Sequence, residues 1–199
     1  MRLISLFVFV CLGLTAAENT ANWSANYPPC NRHSELLKHG HMDLGVRFLT
    51  SNPALAEQFR RAMDSWAKIL DLDWHEDDTQ NCAIQVIDGE RELFHPASVI
   101  ARSQFPDRLD FQGWIAFNPE QTLDEPDMYR MAVHEIGHIL GLPHSTKATS
   151  VMYFLDLDGL ESLDPTDLAL LAKHHKMRIA ALDKPVPIAA TPVSDTLNK

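Results

Sequence analysis

The chain has 199 residues, 45% of them hydrophobic and 22% charged, with 8 Gly and 12 Pro. That balance excludes collagen-like, low-complexity and wholly disordered classes, and suits one folded domain with tails. A formal net charge of -10 argues against a nucleic-acid partner held through Lys and Arg, while 10 His set against 3 Cys hint at metal or pH chemistry.

In chain order, Met1 and Arg2 precede an apolar run, Leu3 to Leu14, broken only by Ser5 and Gly13. Thr15, Ala16 and Ala17 follow, then polar sequence from Glu18. A charged start, an apolar centre and a small-residue exit make a secretory signal over residues 1–17, cleaved after Ala17. The run is short of the roughly 20 residues a membrane span needs, and no other stretch qualifies. The chain therefore reads as secreted or otherwise exported, extracellular or periplasmic, with no membrane span. Cys11 leaves with the signal, so Cys30 and Cys82 are the mature cysteines.

Residues 18–41 are polar and irregular and read as a leader or surface segment, with Asn22-Trp23-Ser24 a glycosylation acceptor triplet. A single domain is expected over 42–178. Met42, Leu44, Val46 and Phe48 alternate as in a half-buried strand. Asn52 and Pro53 supply a cap and a first-turn proline for an amphipathic helix through Leu70. Short strands are expected at Leu72 to His75, Ala83 to Ile87, Ser98 to Ala101 and Trp114 to Phe117. Helical spacing returns near Asp127 and stops at Gly141. A last helix opens at Asp164-Pro165 and runs to about Lys176. Pro185, Pro187 and Pro192 among small residues suggest a flexible tail over 179–199.

Residues 134 to 144 read His-Glu-Ile-Gly-His-Ile-Leu-Gly-Leu-Pro-His. On a helix His134 and His138 share one face, close enough to bind one Zn²⁺ together. Glu135 is rotated about 100° from His134 and lies beside the metal rather than on it. Gly141 permits a positive-φ exit, and Leu142-Pro143 bring His144 back as a third ligand. Three nitrogen ligands leave a fourth position open, the arrangement of a catalytic zinc. Met152, eight residues past His144, completes a known protease pattern.

On these residues the chain resembles the metzincin clan, and within it the matrixins. Ser145 after the third ligand, Phe154 where other branches place an extra tyrosine ligand, Leu163-Asp164, and the Trp-bearing stretch Phe59 to Leu72 carry the closer likeness. The resemblance covers about residues 42 to 176. It implies an α+β, zincin/metzincin-like single domain: a small mixed twisted sheet with three helices, and a cleft between upper and lower parts. It implies a zinc metalloendopeptidase, with Glu135 as general base, Met152 as the Met-turn floor, and one catalytic Zn²⁺ on His134, His138 and His144. Protein or peptide substrates would bind extended along an edge around Val99 to Ser103, with Tyr153 to Ser162 walling an apolar pocket. A monomer is expected.

Two departures stand out. Relatives hold a structural zinc and calcium in the loop before the motif helix, but here that loop is shorter and Arg102 stands near an expected ligand His. His95, Asp88, Asp107 and Asp110 could bind an ion, but their spacing does not match the family's, so a structural zinc or calcium stays open on the sequence. The latency segment is reduced to Pro28-Pro29-Cys30-Asn31-Arg32. Cys30 pairs with Cys82 in one reading and caps the zinc as a thiolate in the other. The rival functional readings are a catalytically weak zinc-binding module and a self-processing zincin of another branch. An intact Glu135 argues against the first.

Overall fold

A computed structural model describes residue 30 and residues 33–79, 81–153 and 162–188. The expected signal segment, the Asn22 triplet, most of the leader, residues 154–161 and residues 189–199 lie outside the described residues. Among the described residues no helix is long and apolar enough to cross a membrane.

Five strands form the main sheet: β1 (Met42–Phe48), β2 (Leu72–Glu76), β3 (Ile84–Asp88), β4 (Ala101–Ser103) and β5 (Trp114–Phe117), in the order β2-β1-β3-β5-β4. The first four in that order run parallel, and β4 lies antiparallel to β5 at the edge. Burial follows from these positions. β3 and β5 are central, so their residues are buried on both faces. Ile84, Val86, Ile115 and Phe117 face the helices, whereas Ile87, Trp114 and Ala116 meet Phe94 on the opposite face.

The helices are α1 (His33–Leu36), α2 (Pro53–Ile69), α3 (Glu125–Ile139) and α4 (Pro165–His174). Asn52 caps α2 by accepting the Ala54 and Leu55 N–H groups at 3.1 and 3.2 Å. The buried face of α2 carries Phe59, Met63 and Trp66, each worth about 1.5–3 kcal/mol of transfer free energy. The Trp66 indole N–H donates to the Val133 carbonyl at 3.2 Å, fastening α2 to α3. Asp124 accepts from the Asp127 N–H at 2.9 Å, so α3 starts two residues before the expected Asp127.

Three expectations need correction. The strand expected at Ser98 to Ala101 lies at Ala101–Ser103. A turn in which Val99 N–H donates to Pro96 O holds the chain until pairing begins at Ala101 opposite Phe117. The last helix stops at His174 because His175 takes extended backbone and turns its ring toward α3. Residues placed by the sequence in a flexible tail return to the domain. β7 (Val186–Pro187) pairs antiparallel with β6 (Ser162–Leu163), and Ile188 is buried.

Cys30 and Cys82 are bonded to one another and both are buried. The Cys30 N–H also donates to Gln112 O at 3.0 Å, two residues before β5. The alternative in which a Cys30 thiolate caps the zinc is therefore overturned: the sulfur is engaged with Cys82.

Candidate active site

The helix α3 is laid across the sheet by Trp66 and its own apolar stripe, and it carries His134 and His138 inward. Gly141 ends the helix at φ +94°, a conformation that a side chain would strain. The chain then reverses, and His144 comes to face the pair. The three ring centroids lie 4.6 to 5.3 Å apart, and one nitrogen from each ring falls within 4.8 Å of the others. His134 and His138 are buried while His144 is exposed, so the cluster opens to solvent on one side.

Two backbone carbonyls fix which nitrogen faces the centre. His134 Nδ1 lies 2.7 Å from Val151 O, and His138 Nδ1 lies 2.7 Å from Leu142 O. A carbonyl only accepts, so each Nδ1 carries the proton and each Nε2 is left with its lone pair. Burial lowers the pKa of all three rings, and that of His138 falls to about 3 as the neighbouring His134 and His144 add to the effect. Neutral imidazoles with converging lone pairs are the donor set Zn²⁺ prefers. The residues fit the ion.

Below the rings, Met152 is fully buried against α3 at Gly137. Its turn is tied to α4 through a chain of bonds. Ser150 Oγ accepts the Met152 N–H at 2.9 Å and donates to Asp167 at 2.6 Å, and Asp167 accepts the Asp164 N–H at 3.0 Å. Asp164 in turn caps α4 and accepts from Lys147 Nζ at 3.3 Å.

Glu135 is buried, and its Oε2 has no hydrogen-bond partner among the described residues. Burial pushes its carboxyl up to about 7, against smaller downward pulls from the Ser103 hydroxyl and the Arg102 charge. Sequence reading found Glu135 and put Ser103 on the substrate edge, but missed the side to which Ser103 turns and missed Phe105, whose ring lies 5.0 Å from that of His138. Both depend on how β4 sits against α3, which no local pattern encodes. It also missed His175. His175 is buried and donates to Leu140 O at 2.7 Å, closing the end of α3, and burial lowers its pKa. His41 and His75 are exposed and lie 3.2 and 3.0 Å from Asp71 and Asp43. His33 stands edge-on to Phe111.

Among the described residues before α3, no second group of metal-competent side chains comes together. Asp88 accepts from Thr50 and Ser51, which turn the chain from β1 into α2. His95, Asp107 and Asp110 are exposed, and His134, His138 and His144 are the one metal-competent group among the described residues. Hydrogen bonds close this loop instead. Arg102 donates to His95 O at 3.3 Å, Asn118 Nδ2 to Ala97 O and Val99 O at 3.4 and 3.0 Å, and Gln121 to Ala97 O at 3.0 Å.

A motif helix with two histidines, a glycine exit to a third and a methionine turn beneath them, set on a mixed sheet, defines a metzincin-like domain. Within that class the sequence profile of the matrixin family matches residues 47–167, and the chain belongs to the matrixin family. It is similar to matrix metalloproteinase-A of Caenorhabditis elegans, 26% identical over 144 residues, covering 65% of this chain and 27% of the relative. Metalloendoproteinase 4-MMP of Arabidopsis thaliana is 33% identical over 110 residues, covering 48% and 32%. Matrix metalloproteinase-16 of Rattus norvegicus is 27% identical over 139 residues, covering 58% and 23%. The chain thus spans about a quarter to a third of the length of these curated relatives.

Proposed function

We propose that the chain is an exported zinc endopeptidase that holds one catalytic ion on His134, His138 and His144 and uses Glu135 as general base. The observation that carries this reading is the pairing of three converging imidazole nitrogens with a buried carboxylate oxygen that no described residue satisfies. A structural zinc-binding module has no use for such an oxygen, because leaving it unpaired costs stability.

When bound, Zn²⁺ supplies Lewis acidity, lowering the pKa of water toward about 7 and polarising a carbonyl. The chain's own residues do the rest. The Val151 and Leu142 carbonyls keep the histidine rings in the tautomer that binds. A peptide adds as an extended strand to the outer edge of β4, on which no strand lies among the described residues. Glu135 takes the proton from the attacking water as the C–O bond forms, and returns it to the departing amine as the peptide C–N bond breaks. Atoms balance without a serine or cysteine nucleophile. Export is supported by the sequence of residues 1–17 and by a disulfide, which persists in oxidising compartments.

The test is Glu135→Ala. It is expected to keep one zinc per chain and lose about 10³-fold or more of the wild-type rate on casein. Loss of any of the three histidines should cost the metal instead. A zinc-loaded Glu135→Ala that digests casein at the wild-type rate sinks the assignment, and cleavage confined to the chain's own leader points to a self-processing enzyme.

A further inference from the structure

Two buried polar atoms near the histidine cluster lack a hydrogen-bond partner among the described residues: Ser103 Oγ, and Oε2 of Glu135. They belong to β4 and α3, which pack directly on each other. Along β4 the side chains alternate. Arg102 is exposed, and Ser103 turns to the opposite face, where α3 lies. Burying a hydroxyl and a carboxylate oxygen on two elements that pack together is unfavourable unless they serve one another or a bound molecule. The proposed mechanism gives Ser103 no task.

We propose that Ser103 is a positioning residue whose hydroxyl donates to the Glu135 carboxylate and fixes the direction in which that carboxylate meets the reacting water. The inference rests on Glu135 acting as the base. A glutamate's terminal torsion is broad and roughly two-fold, so burial leaves its two oxygens free to exchange places unless a donor holds one of them. Ser103 is suited to this because its main chain is fixed. It pairs with Ile115, and the next residue, Gln104, donates its N–H to Trp114 O at 3.4 Å and accepts the Gln112 N–H through its side chain at 2.6 Å.

The experiment compares wild type, Ser103→Ala, Ser103→Thr, Glu135→Gln and the double variant Ser103→Ala/Glu135→Gln, all zinc-loaded. The probe is a quenched fluorescent peptide that wild type cleaves, chosen from a generic library. Ser103→Ala is expected to lower kcat about tenfold with KM within about twofold, and Ser103→Thr, which keeps the hydroxyl, to recover most of that loss. On Glu135→Gln the Ser103→Ala change should have no further effect, because the two residues act as a unit. Crystals of the zinc-free Ser103→Ala protein should show the Glu135 carboxylate in more than one orientation, where wild type shows one. The proposal is overturned by Ser103→Ala turning over at the wild-type rate, by a loss confined to KM, or by a loss that persists on Glu135→Gln. A Glu135→Gln that retains full activity overturns the base assignment itself, and this inference with it, whereas an inactive Glu135→Gln beside a fully active Ser103→Ala overturns this inference alone. Should Ser103→Ala misfold, the Ser103→Thr and Ser103→Cys pair decides the same question.

Discussion

At Gly137 the missing side chain is what lets the methionine turn reach the motif helix. A Cβ placed there would stand 2.5 Å from Met152 Sδ, 3.1 Å from its Cε and 3.5 Å from Trp66 Cζ2. Two effects compete in Gly137→Ala. Helix propensity gains about 1 kcal/mol, while overpacking a filled site costs about 1–3 kcal/mol. The contact wins, and the expected net loss is about 1 kcal/mol, limited because a thioether is a flexible neighbour. In a Met152→Ala background the obstacle is gone, so the same substitution should change sign and stabilise. A four-variant cycle of urea denaturations on the zinc-free protein reads this directly. Equal losses in both backgrounds would show that Gly137 is not there for the methionine.

Among the elements, the loop from β3 to β4 shows how side-chain hydrogen bonds close an irregular segment. Asn118 is its hub. Its side-chain amide reaches Ala97 O and Val99 O, its Oδ1 accepts the Glu120 N–H at 3.0 Å, and its own N–H donates to Ile100 O at 2.8 Å. Asn118→Ala is expected to cost about 2 kcal/mol, since it strips partners from three main-chain groups. Arg102→Ala should cost less, because its bond is long and exposed. Adding millimolar calcium to the one-zinc protein should leave its melting temperature unchanged, and a calcium-dependent rise would reveal an ion site in this loop. The same loop marks where sequence reading fell short. His134, His138 and Gly141 were legible because helical periodicity fixes their spacing locally, and Cys30 with Cys82 because the expected signal takes Cys11 out of the count. The register of β4 was not, because a turn at Pro96 to Val99 and pairing across the sheet set it together. The side to which Ser103 turns, and the places of Phe105 and His175, escaped for the same reason: each depends on a partner distant in the chain.

Among the described residues, the domain is fastened on both flanks of the stretch shared with its family. Residues 47–167 match the matrixin profile, yet the disulfide holds Cys30 against the sheet and the returning C-terminal segment completes the core beside α3. That second fastening is specific. The Tyr129 hydroxyl donates to Ile188 O at 2.6 Å and lies 2.8 Å from Ser65 Oγ, so one contact joins α2, α3 and the last described residue. β7 meanwhile pairs with β6 directly before the cap of α4. Ending the chain at Lys184 removes the Ile188 side chain from the core and the acceptor from Tyr129. The expected loss is about 3 kcal/mol, the sum of one buried aliphatic group and one buried hydrogen bond. Ile188→Ala should lose somewhat less, because the strand pairing and the carbonyl remain. Zinc content should stay at one ion per chain in both variants, since the ligand rings are oriented by Val151 and Leu142, which the segment does not replace. Urea midpoints together with metal stoichiometry separate these outcomes. If Ile188→Ala unfolds at the wild-type midpoint, the segment merely rests on the domain and the core is complete without it.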